Sequence, residues 1–77
     1  MAIHDAATRY IAETLESRRN ALNVSYARLA EQTGVSKSAL QRGLTGSDIP
    51  VETLLKVCAA LGVSASKLMR DAQALIG

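Results

Sequence analysis

The sequence predicts an all-α domain, a compact bundle of five helices. Three observations carry this. Nearly half of the 77 residues are apolar, yet 13 are alanine and neither Trp nor Phe occurs, a composition for close-packed helices rather than a sheet sandwich. The apolar residues recur at helical spacing. The breaks between these runs carry helix-cap residues, Ser25, Gly34, Ser36 and Gly62 among them.

The first helix is expected over 3–22. Ile3, Ala7, Ile11, Leu15 and Leu22 fall near one face with Tyr10 beside it. Asn20 and Asn23 favour its end. Glu16 and Arg19 are three apart, a pair expected to add only a few tenths (~0.2–0.5) of a kcal/mol. Val24 before Ser25 suits a hydrophobic staple against Leu29.

Residues 25–46 read as two short helices joined by a tight turn. Ser25 supplies an oxygen for the free amides opening a helix over about 26–33, with Ala27, Leu29, Ala30 and Thr33 on roughly one side. Gly34 ends it, because glycine enters the left-handed region without a Cβ penalty. Ser36 caps a helix over about 37–44, and Gly46 stands just past its end. A helix, a glycine-containing turn and a helix form the helix-turn-helix pattern, whose second helix enters the DNA major groove.

Residues 45–50 are a polar loop. Pro50 suits the first turn of the fourth helix, and Glu52 its positive end. Leu54, Leu55, Val57, Cys58 and Leu61 form that helix's apolar face; Gly62 closes it and Val63 folds back in a Schellman arrangement. Ser64 or Ser66 caps a fifth helix reaching about 75. There is no repeat or linker, so residues 1–77 are expected to form a single domain.

Several function classes fall away. The one histidine, His4, has no second metal ligand at helical spacing, and a serine triad is not credible around it. No glycine-rich phosphate loop is present. No metal, cofactor or enzymatic activity is expected. No apolar run is long enough for a membrane span and no signal peptide is evident. With the lone Cys58, which reads as a small core residue, this points to a cytoplasmic protein.

Net charge is only +2, but its placement is uneven. Residues 32–47 contain Lys37 and Arg42 and no acid, while all seven acids lie outside that window, Asp5, Glu13, Glu16, Asp48, Glu52 and Asp71 among them. A locally basic face suits a polyanion.

Ser25-x-x-x-Leu29-Ala30-x-x-x-Gly34-Val35-Ser36, followed by Leu40, Gly46, Pro50, Thr53-Leu54-Leu55-Lys56-Val57 and Ala60-Leu61-Gly62-Val63-Ser64, resembles the phage repressor and Cro type of helix-turn-helix domain over about 11–69. The resemblance implies a five-helix fold and a transcriptional repressor that binds operator DNA, typically as a homodimer. It implies base reading by Lys37, Ser38, Gln41 and Arg42, which are spaced to share one exposed strip, with Ala39 small enough to meet a thymine methyl. Leu40 is expected to face the core.

For phosphates the resemblance implies Tyr26, whose hydroxyl would donate to a phosphate oxygen, and the loop residues Thr45 and Ser47. Arg28 and the helix-capping Ser25 and Ser36 join them at helix N-termini. Three positions depart from the family pattern. Leu44 stands where an acid commonly pairs with an arginine on helix 1, so Arg19 is expected to be free for solvent or phosphate. Gly43 replaces a large apolar residue, which would end or bend the third helix early. Arg28 replaces the acid of a capping box.

For dimerisation the candidate is the last helix, about 65–76, through Leu68, Met69, Leu75 and Ile76; a monomer, or association through the 45–50 loop, is the alternative. The alternative function is that of an antitoxin or another protein-interaction module on the same fold.

Overall fold

The computed structural model describes residues 5–45 and 49–75. Within them are α1 (Asp5–Ala21), α2 (Tyr26–Thr33), α3 (Lys37–Thr45), α4 (Val51–Leu61) and α5 (Ala65–Gln73), and no strand. α1 packs against α3, α4 and α5; α2 packs against α3 and α4.

Each helix gives its apolar stripe to one core. Ile11 and Leu15 come from α1, Leu29 from α2, Leu40 and Leu44 from α3, Leu54, Val57, Cys58 and Leu61 from α4, and Leu68 and Ala72 from α5. Truncating a leucine such as Leu15 to alanine in a core of this kind costs about 2–5 kcal/mol. Among the described residues no polar or charged side chain is buried with that cluster, so the helix angles are set by apolar packing and by the corners.

Those corners are built by local chemistry. After α1 the chain passes through a positive φ of 57° at Asn23, a conformation asparagine tolerates better than most residues. The Asn23 amide donates to the Asn20 carbonyl and the Val24 amide to Arg19, a Schellman closure. Gly62, at φ 70°, repeats it after α4: its amide donates to Ala59, and Val63 donates to Cys58. The Arg18 Nε donates to the Leu61 carbonyl at 3.2 Å, placing a cation on the negative end of α4 and tying two helices distant in sequence.

Some expectations shift. α1 spans Asp5–Ala21; residues 3 and 4, and Gly46, lie outside the described residues. Leu22, assigned to the inner face of α1, is 45% exposed because it follows the helix at the corner where the chain turns away. Ala27 is likewise exposed. Pro50 caps α4 from one position before its first turn, its carbonyl accepting from the Leu54 amide. Ser64, rather than Ser66, caps α5 through the Lys67 amide. α5 ends at Gln73, with a turn over 74–75.

α3 does not stop short at Gly43 but runs to Thr45. Gly43 is buried, and a Cβ built there would stand 3.3 Å from Ile49 Cγ1. The returning chain thus lays Ile49 into the space that a larger side chain on α3 would occupy.

Candidate nucleic-acid interface

Residues 25–45 form the unit that carries the candidate site. The Ser25 Oγ accepts from the Arg28 amide at 3.1 Å, closing the first turn of α2. Gly34, at φ 76°, ends α2 with its amide on the Ala30 carbonyl at 2.8 Å. The Thr33 hydroxyl donates to the Leu29 carbonyl and accepts from the Val35 amide, so one side chain bridges the last turn of α2 and the connection. The Ser36 Oγ then accepts from the Ala39 amide at 3.2 Å and opens α3.

This geometry fixes which side of α3 faces outward. Leu40, Gly43 and Leu44 are buried. Lys37, Ser38, Gln41, Arg42 and Thr45 are exposed. Among the described residues, the side chains of Lys37, Ser38, Gln41 and Arg42 make no hydrogen bond or ion pair with other protein groups, so their donors and acceptors are all available outward. Ala39 is half-buried on the shoulder of this strip. With Arg42, Pro50 and Thr53 it lines an open hollow between α3 and the start of α4.

The residues assigned to phosphate contacts divide. Ser25, Arg28 and Ser36 are exposed, at or near the first turns of α2 and α3. Thr45 is exposed, but its hydroxyl donates to the Gln41 carbonyl within α3. Ser47 lies outside the described residues. Tyr26 departs most: its ring is half-buried and its hydroxyl donates to Glu16 Oε2 at 2.7 Å. The proton expected to reach a phosphate is therefore already committed inside the protein. Burial and the adjacent Glu16 carboxylate raise the Tyr26 phenol above its ordinary 10.

Arg19 is not free either. Its Nε and Nη2 donate to the two Glu16 carboxylate oxygens, each at 2.9 Å, in a bidentate pair. Nη1 donates to the Val24 carbonyl at 2.6 Å, and the guanidinium lies over the Tyr26 ring, 4.1 Å from its centroid. The pairing that Leu44 denies it along α3 is supplied from α1 instead. The hydrogen bonds to Arg19 hold the Glu16 carboxyl below its usual 4.5 against the opposing effect of burial, with Tyr26 adding to the shift. In the sequence Glu16 stands out only as a partner three residues before Arg19; its contact with Tyr26 crosses the corner between two helices and leaves no periodic trace.

Of the residues assigned to a dimer surface, Met69 and Leu75 are exposed, at 41% and 52%. Leu68 is not available: it is 3% exposed, packed in the core from the inner side of α5. Ile76 lies outside the described residues.

A family profile described as Helix-turn-helix matches residues 15–68, more than half of the chain. The chain belongs to the Cro/C1-type helix-turn-helix family. No curated protein and no solved structure matches it. As a member of that family it is a DNA-binding transcription regulator. Among the described residues no helix is long and apolar enough to cross a membrane, and no group of His, Cys, Asp and Glu is placed to hold a metal ion.

Proposed function

We propose that this chain is a sequence-specific reader of double-stranded operator DNA, a phage or prophage repressor or Cro-like regulator working in the cytoplasm. The observation that carries the proposal is the α3 strip. Lys37, Ser38, Gln41 and Arg42 stand exposed together on the outer side of a helix whose inner side is locked by Leu40 and Leu44. Arg and Lys suit guanine edges and Gln suits adenine. Ala39, on the shoulder, is small enough to admit a thymine methyl.

Ser25, Arg28 and Ser36 would hold phosphates on either side of the turn, with Ser47 and the backbone near Thr45 adding contacts beyond α3. Tyr26 leaves that set because its hydroxyl is engaged by Glu16. A homodimer would present two copies of α3 to half-sites about 34 Å apart. Met69 and Leu75 are the exposed apolar groups on the α5 side that such a dimer would cover. The single-domain reading of residues 1–77 belongs to the same proposal.

Selection of bound sequences from a random duplex pool tests the reading. A defined and symmetric consensus is the expected result. Arg42→Ala should then weaken binding to that consensus by ~1–3 kcal/mol while random duplex is far less affected. Affinity should also fall steeply with salt. Equal losses on selected and random DNA would remove Arg42 from base reading. Binding that is absent or insensitive to salt would favour the protein-interaction or antitoxin role.

A further inference from the structure

The corner between α1 and α2 holds a cluster that the base-reading strip does not use. Arg19 commits four N–H groups there: one to each Glu16 oxygen, one to the Val24 carbonyl, and one to Asn20 Oδ1 at 3.1 Å. A guanidinium has five. One of its faces is occupied by the Tyr26 ring. Its side chain is 12% exposed and that of Glu16 is 24%. Such a cation is neutralised and enclosed, with almost nothing left to offer a phosphate.

The same groups span three parts of the chain. Glu16 and Arg19 belong to the last two turns of α1. Val24 is held from both sides by Arg19, its amide on the Arg19 carbonyl and its carbonyl on the Arg19 Nη1. Tyr26 is the first residue of α2, tied to Glu16 through its hydroxyl. The frame is α1, which packs on α3, α4 and α5. The corner therefore determines where α2 starts against that frame, and the Thr33 bridge passes that placement across the turn toward α3.

We propose that Glu16, Arg19 and Tyr26 are positioning residues for DNA recognition: together they set the angle at which the α2–α3 unit docks and do not themselves contact DNA. This rests on the reading of α3 as the base-reading helix. Ser25 and Arg28 lie within three residues of the node, so loosening it moves the phosphate contacts and α3 together. Binding that depends on the register of base contacts is lost first. Binding that depends only on phosphate charge is retained, because the cations remain.

The test uses Tyr26→Phe, which removes the hydroxyl and keeps the ring, and Arg19→Lys, which keeps the charge and removes the fork. Affinity is measured on the pool-selected duplex and on a scrambled duplex over a range of salt. Circular dichroism at the same temperature gives the folded fraction of each variant. For fully folded variants, affinity for the selected duplex should fall about tenfold, the scale of one weakened base contact. Affinity for the scrambled duplex should stay within about twofold and the salt slope should be unchanged. Glu16→Gln should behave the same way, and its own slope separates the two roles: tighter scrambled-duplex binding with a steeper slope would make Arg19 a phosphate ligand restrained by Glu16, and would overturn the proposal. Losses on both duplexes that track only the folded fraction would also overturn it, leaving the cluster purely structural. Arg42→Ala is the reference: if it abolishes discrimination while Tyr26→Phe and Arg19→Lys retain it, the node fails and base reading by α3 stands. If the wild type does not discriminate between the duplexes, both fail.

Discussion

Arg19 and Glu16 meet edge to edge in two hydrogen bonds of 2.9 Å, and Glu16 reaches past that pair to the hydroxyl of Tyr26. A carboxylate that accepts from a guanidinium and a phenol at once is favoured in its ionised form. Its folded pKa lies below 4.5. The group binds a proton more readily in the unfolded chain, so its stabilising contribution is present above the unfolded value and is lost as pH falls through the folded one. Thermal unfolding followed from pH 6 to pH 3 should show stability falling below about 4.5. Glu16→Gln should be destabilised by about 1–3 kcal/mol at pH 6 and show a shallower acid dependence. An identical acid profile in wild type and variant would remove Glu16 from the account.

Gly43 and Ile49 form a size-matched pair. Alanine at 43 would bring its Cβ to 3.3 Å from Ile49 Cγ1, a crowding opposed by the better helix propensity of alanine, worth up to about 1 kcal/mol. Gly43→Ala should therefore change stability little. Gly43→Leu should cost about 1–3 kcal/mol by overpacking, and adding Ile49→Ala should recover part of that loss. Urea denaturation of the two single variants and the double variant gives the coupling.

Gly34 isolates a backbone effect. Nothing lies within 4 Å of a Cβ built there, yet φ is +76°. Gly34→Ala should cost about 1–2 kcal/mol from conformation alone, and Gly34→Asn less, since asparagine tolerates the left-handed region. Equal costs for the two variants would point to a steric cause instead.

Cys58 is 2% exposed, and burial raises its thiol above the ordinary value of 9.0. Both effects suppress the thiolate that reacts. A thiol reagent at pH 8 should label the native protein slowly and the urea-unfolded protein fast. Cys58→Ser should destabilise by about 1–3 kcal/mol, because a hydroxyl replaces a thiol in an apolar setting.

The parts of the molecule legible in the sequence are those whose chemistry is local. Ser25, Gly34, Ser36, Gly62 and Val63 each act on amides or carbonyls a few residues away, and each does so in the structure. The outward strip from Lys37 to Arg42 follows from helical spacing once Leu40 is assigned inward. Arg19 reads as free in the sequence because its neutralising contacts involve a side chain of α1 and an aromatic ring beyond a turn. The Arg18 bond to the Leu61 carbonyl, 43 residues away, has no sequence signature. Leu68 and Met69 are adjacent, and composition does not distinguish them; rotation of α5 against the core sends one inward and the other outward. Gly43 reads as a helix breaker in the sequence because Ile49, which makes use of the missing side chain, lies beyond the end of α3.

Lys37, Ser38, Gln41 and Arg42 contribute no internal bond to the described fold, while the capping oxygens and leucines around them contribute many. Exchange of such exposed side chains usually leaves stability within about 0.5 kcal/mol. The protein thus separates what it needs in order to fold from what it presents. These four positions can be rewritten, singly or together, without renegotiating the scaffold, and under the proposed base-reading role that would change target preference at constant stability.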